Sequence, residues 1–196
     1  VVQRGFPQQL VSSTQLGIIT GAKIGLAQGL ILGDPDTSAV DRMSVHPFVH
    51  TVSELFHAGV VVSNGTWTVC NTQNTAVLRD FAPALLCCPQ FGRYDDIFAS
   101  LICQRIMREK GYVVHFGGPL VWQQRNKHDL IVDLKAELWG MEHVVKLAEA
   151  LNHILVFERQ AHPVRQVYDT LQHFPWFPKE ANTLAQAFMD DVESCG

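Results

Sequence analysis

Charge is scarce in this sequence. Only 17% of its 196 residues are Asp, Glu, Lys or Arg, against roughly 25% in an average soluble domain. A chain so poor in charge and 47% apolar does not have the composition of a disordered one. A basic excess is missing as well: 15 Lys and Arg face 19 Asp and Glu, a formal net charge of −4. That balance excludes a global nucleic-acid footprint and confines any anion site to a local cluster. No run is apolar enough to span a bilayer, since the best stretch, 16–32, is broken by Lys23, Gln28 and several glycines. No C-x-x-C pair occurs. The five cysteines, at 70, 87, 88, 103 and 195, read as reduced, mostly buried thiols of a cytosol-like compartment. No basic stretch leads into an apolar one at the start, so the expected location is the cytoplasm, or the cytosolic face of a membrane system. Internal repeats and low-complexity tracts are absent.

What is present suits one globular domain or a piece of a larger one. The first 15 residues are polar, contain Pro7 and read as loop. A strand with glycine bends is predicted within 17–32, then a turn at Gly33-Asp34-Pro35-Asp36 and a short helix over 38–43 capped by Thr37 or Ser38. Residues 58–63 read as a buried strand, Asn64-Gly65 as a tight turn and 66–70 as a further strand. The clearest helix is 95–110: Ile97, Phe98, Leu101, Ile102, Ile106 and Met107 share a face, Asp95 and Asp96 open it, and Gly111 stops it. A strand over 112–116 and a turn at Gly117-Gly118-Pro119 follow. The next helix, 129–151, is predicted to bury Leu130, Leu134, Leu138, Met141, Val145 and Leu151. From Pro163 the tail reads as two helices broken at Pro175 and Pro178. This order suggests an α/β or α+β fold.

Four clusters can carry chemistry. In Gly92-Arg93-Tyr94-Asp95-Asp96, two adjacent carboxylates at a helix start can hold a metal, orient a hydroxyl or act as a base. They also read as an N-cap with a dipole-matched acid. In Asp34-Pro35-Asp36, carboxylates after a strand can chelate a divalent ion, though a solvated Asp-Pro turn is the stronger reading. Asn71-Thr72-Gln73-Asn74 offers paired donors and acceptors suited to sugar hydroxyls, or is a polar loop. The segment 123–128 can meet phosphate through Arg125, Lys127 and a helix start, or is a solvated connector. The nine histidines are dispersed, and His128 is the one weak metal candidate beside Asp34 and Asp36.

Taken together, these blocks resemble the reversibly glycosylated polypeptide family, the UDP-arabinopyranose mutases, and their bacterial glycosyltransferase-like relatives. Arg4-Gly5-Phe6-Pro7 is similar to that family's Arg-Gly-Tyr-Pro. Gly29-Leu30-Ile31-Leu32, Pro35-Asp36, Gly65-Thr66, Cys70 with Asn74, Arg79-Asp80 and Pro83-Ala84 follow in step. The closest block is Gly92-Arg93-Tyr94-Asp95-Asp96-Ile97-Phe98-Ala99, against Gly-Arg-Tyr-Asp-Asp-Met-Trp-Ala. Asp133-Leu134-Lys135 with Glu137 completes a match over about 3–140. The resemblance implies an α/β, GT-A-like nucleotide-sugar fold with a mixed sheet and flanking helices, usually with Mn or Mg. Its substrates are a nucleotide sugar and a hydroxyl acceptor, without nucleic acid, and it leaves room for a homo- or hetero-oligomer. It places Arg4 on the glycosylated Arg, Asp95 and Asp96 on the acidic pair near the reacting sugar, and Asn74 on a loop facing the site. Two departures stand out: Val11 occupies about the place of a second Arg, and Gln123-Gln124 replace a Tyr-His.

The expectation is therefore the C-terminal, acceptor-side part of a glycosyltransferase or nucleotide-sugar mutase acting on a UDP-type sugar. Residues 1–160 would form that part and 161–196 a helical C-terminal extension, with the nucleotide-binding half lying before residue 1. Asp95, Asp96 and Arg4 would carry the chemistry. Asn74, Gln73, Arg93, Gln124, Arg125 and Lys127 would bind substrate. The alternatives are a non-catalytic carbohydrate-binding or assembly subunit of the same fold, and a hydrolase using Asp34, Asp36 and a His on a metal.

Overall fold

The computed structural model describes residues 3–7, 17, 19–156 and 161–195. Val11 and most of the leading loop lie outside the described residues.

The chain is built as β1 (Lys23–Gly33), α1 (Ala39–Ser44), α2 (Glu54–Ala58), β2 (Val60–Val61) and β3 (Thr75–Val77). Two 3₁₀ segments follow, Arg79–Leu85 and Pro89–Tyr94, then α3 (Asp95–Glu109), β4 (Tyr112–Gln123), α4 (Leu130–His153), α5 (Pro163–Leu171) and α6 (Lys179–Ser194). The four strands form one mixed open sheet in the order β2-β4-β1-β3. Its centre is a parallel β1–β4 pair; β3 adds antiparallel to β1, and β2 antiparallel to β4. Parallel neighbours need a long crossover, and α3 lies in it. This is a mixed α/β architecture with flanking helices.

Every residue of α3 from Asp96 to Met107 is buried. The expected single apolar face understates it, because Ser100, Gln104 and Arg105 are enclosed too. Two of these polar residues explain a second correction. Residues 66–70 do not form the expected strand. They run along α3, where Gln104 Nε2 donates to the Thr68 carbonyl at 2.8 Å and Ser100 Oγ accepts from Cys70 N at 3.2 Å. Helix side chains thus satisfy backbone that would otherwise need a ladder. The buried strand expected over 58–63 shrinks to β2, with α2 ahead of it.

The turn expected at Gly117-Gly118-Pro119 is instead part of β4. The register steps from Gly29↔Gly117 to Ile31↔Val121, so a bulge accommodates Pro119 outside the ladder. Ser38 caps α1, accepting from Asp41 N, and Asp129 caps α4. The buried face of α4 matches the expected stripe only in part: Leu151 is buried and Met141 and Val145 pack half-buried on the core, but Leu138 is exposed, and Asp133, Glu137, Gly140, Val144 and Leu147 face inward. The helical tail forms as expected, and Val164, Tyr168, Leu171, Ala181 and Met189 join the same hydrophobic core as α3 and α4. No helix among the described residues is long and apolar enough to cross a membrane. All five cysteines are free, with Cys87 and Cys195 exposed.

Candidate functional site

An open cleft of about 510 Å³ is lined from five separate stretches: Arg4; Asp36; Thr72 and Gln73; Gly92, Arg93, Asp95 and Asp96; and 123–126 with His128. The local sequence dictates how the central stretch is held. Gly92 takes φ 57° and ψ −133°, a backbone state open essentially to glycine, and so kinks the 3₁₀ segment into α3. Tyr94 then packs against Gly140 of α4, where a Cβ would stand 2.1 Å from the ring. Asp95 and Asp96 enter the first turn of α3 with free N–H groups to meet. Asp95 Oδ1 accepts from Asp96 N at 2.8 Å.

An ion-pair chain joins these stretches. Arg4 Nε donates to Asp36 Oδ2 at 2.9 Å, and Arg4 Nη2 reaches both Asp96 oxygens at 3.2 Å. Arg4 N also donates to the Asp36 carbonyl at 3.0 Å. On the other side of Asp36, Arg125 Nη1 donates to Oδ1 at 3.1 Å. Arg93 lies 3.3 Å from Asp133 and 3.2 Å from Glu137, whose second oxygen accepts from Ala39 N at 2.8 Å. His128 Nδ1 is 3.1 Å from Asp133 Oδ2. Arg4 Nη1 and Arg125 Nε are buried without hydrogen-bond partners among the described residues.

Burial opposes charge on Arg4, yet Asp36 and Asp96 outweigh it and hold the guanidinium above its ordinary range. Burial pushes the Asp96 carboxyl up. Arg4 pulls it down, but Asp36 and Asp95 add to the rise, and one guanidinium cannot offset them all. Burial, with Asp95 and Asp96 nearby, pushes the Cys87 thiol up to about 11.

Of the residues singled out by sequence, Arg4, Asp36, Gln73, Arg93, Asp95, Asp96, Gln124, Arg125 and His128 line this cleft. Asn74 is not among the lining residues: its Nδ2 donates to the Leu30 carbonyl at 3.0 Å, clamping β1. Asn71 is likewise drawn inward, its N donating to Gln28 Oε1 at 3.0 Å. Lys127 is exposed and outside the lining, and Arg125 is turned to Asp36. Asp34 is paired with Arg42. Asp34, Asp36 and His128 therefore each hold a separate protein partner, and no group of three or more His, Cys, Asp or Glu converges as metal ligands among the described residues. As they stand, these three do not fit a divalent ion. Asp133 and Glu137 carried no role in the sequence reading. Their signal was i, i+4 spacing on the face that also presents Gly140.

The cleft is thus a wall of carboxylates, amides and half-paired guanidiniums, able both to donate to and accept from a polyhydroxylated ligand. No protein-family model matches the chain, and no curated protein matches it.

Proposed function

We propose that this chain is the acceptor-side part of a GT-A-like glycosyltransferase or nucleotide-sugar mutase that acts on a UDP-type sugar. The observation that carries the reading is the meeting of Arg4 with Asp96 and Asp36 at the cleft lined by Gly92, Arg93, Asp95 and Asp96. These are the two blocks on which the family resemblance rests most, 92 residues apart in sequence.

In this reading Asp95 accepts hydrogen bonds from sugar hydroxyls and orients the reacting ring. Asp96 and Asp36 hold Arg4 against the cleft wall. Gln73, Gln124 and Asn126 contribute further donors and acceptors. The test is transfer from a panel of UDP-sugars, with Mn or Mg present, by the full-length protein. Asp95→Asn and Asp96→Asn are each expected to lower kcat by about 100-fold or more. Wild-type rates in both variants would sink the assignment.

One observation favours a second reading. Arg4, Arg93 and Arg125 are already paired with protein carboxylates, an arrangement suited to a sugar that carries no diphosphate. Saturable glycan binding without nucleotide would support a non-catalytic carbohydrate-binding subunit.

A further inference from the structure

His128 differs from the other groups lining the cleft. It immediately precedes Asp129, the N-cap of α4, and Asp133 sits in the first turn of that helix. This spacing brings the imidazole against the Asp133 carboxylate, with Nδ1 3.1 Å from Oδ2. Asp133 is only 7% exposed. Its Oδ1 is 3.3 Å from Arg93 Nη1, and Arg125 Nη2 stands 4.0 Å from Oδ2. Despite the short distance, His128 Nδ1 is off the hydrogen-bond line, and buried Oδ2 has no aligned donor among the described residues. A buried carboxylate oxygen without a donor is costly. Nδ1 at 3.1 Å is within reach, and a small turn of the ring would put an Nδ1–H on the N–H···O line and satisfy the oxygen. Such a bond would fix the tautomer with hydrogen on Nδ1 and leave the Nε2 lone pair for the cleft. The side chain is 32% exposed there, enough for a ligand to reach it.

We propose that His128 is the proton acceptor of this cleft and that Asp133 positions it. The proposal rests on the sugar-transfer reading above. The acceptor hydroxyl gives its proton to Nε2 as its oxygen bonds to the anomeric carbon of the nucleotide sugar. The bond from that carbon to the diphosphate breaks, and the diphosphate leaves with the electron pair. The imidazolium is offset by Asp133 and passes its proton to water. Asp133 also serves Arg93, so the pair is tied to the Gly92–Asp96 block on one side and to Arg125 on the other.

The test has a structural and a kinetic arm. Long-range ¹⁵N–¹H correlation spectra of the full chain, recorded where the imidazoles are neutral, are expected to show His128 as the Nδ1–H tautomer. Asp133→Ala should abolish that preference, the remaining resonances reporting that the fold is kept. A wild-type His128 in the Nε2–H form overturns the proposal without any variant. In transfer from a UDP-sugar, His128→Gln is expected to lower kcat by about 10²–10³-fold, within the range of acid–base groups, with KM changed by less than about threefold. An unchanged kcat overturns the proton role. Wild-type protein that shows the Nδ1–H tautomer but transfers no sugar overturns the sugar-transfer reading and the acceptor named here, while the His128–Asp133 pair stands.

Discussion

Asp96 concentrates the tension of the site. It is buried, faces Arg4, and has Asp36 and Asp95 as acidic neighbours, and the balance raises its carboxyl above the ordinary 3.8. The sign of the stability effect follows. Below the ordinary value the group is protonated in both folded and unfolded chains and carries no penalty. As pH rises, the unfolded chain ionises first, so stability is lost until the folded carboxyl has ionised too. Asp96→Asn removes this dependence while keeping the side chain's shape. The stability of the wild type relative to Asp96→Asn is therefore expected to fall as pH rises from about 4 toward neutrality. Urea unfolding of both proteins across that range measures it. A difference that rises with pH would mean Arg4 dominates and the carboxyl is held low.

Among the elements, α3 and α4 fix the site, and they were not equally legible. The apolar face of α3, the cap of α1 and the prolines that divide the two tail helices make these elements readable, because local signals there agree with tertiary packing. The inward face of α4 is only partly legible from its apolar residues. Its first turns turn Asp133 and Glu137 inward to serve Arg93, Ala39 and His128, and a polar residue on a core face gives no hydrophobic periodicity. Residues 66–70 were misread for a related reason, since Gln104 and Ser100 supplied from α3 the hydrogen bonds that a strand would have taken. The resemblance alone assigns Arg4, Asp95 and Asp96 to one site, and it does not foresee Asp36 between Arg4 and Arg125, because no local pattern reports a contact across 92 residues. The α4–Tyr94 contact is directly testable. Gly140→Ala gains helix propensity of roughly 0.5–1 kcal/mol, but the new methyl would stand 2.1 Å from a ring that is 2% exposed. Overpacking of that kind costs about 1–3 kcal/mol. Net destabilisation is expected in urea unfolding, whereas Gly65→Ala, with open space around it, is the control. A stabilised Gly140→Ala would refute the packing of Tyr94 on α4.

At the scale of the whole molecule, two surfaces stand out. One is the cleft, where the described chain gathers carboxylates, amides and arginines from stretches spread between residues 4 and 128. The other is the outer end of β4, where Leu120 is 86% and Trp122 61% exposed, with Phe48 edge-on to Trp122. There β2 pairs only with His115 and Phe116, so the strand edge beyond them lacks a β-partner among the described residues. The low overall charge, with a net of −4, makes the cleft's own groups the main electrostatic feature a ligand meets. The most direct test of the account is therefore to ask where a nucleotide sugar binds. ¹⁵N-resolved spectra of the full chain, titrated with UDP-sugars with and without Mg, are expected to show saturable shifts at Arg4, Gln73, Asp95, Gln124 and His128. Absence of saturable shifts, or shifts confined to the 172–180 loop between α5 and α6, would contradict it.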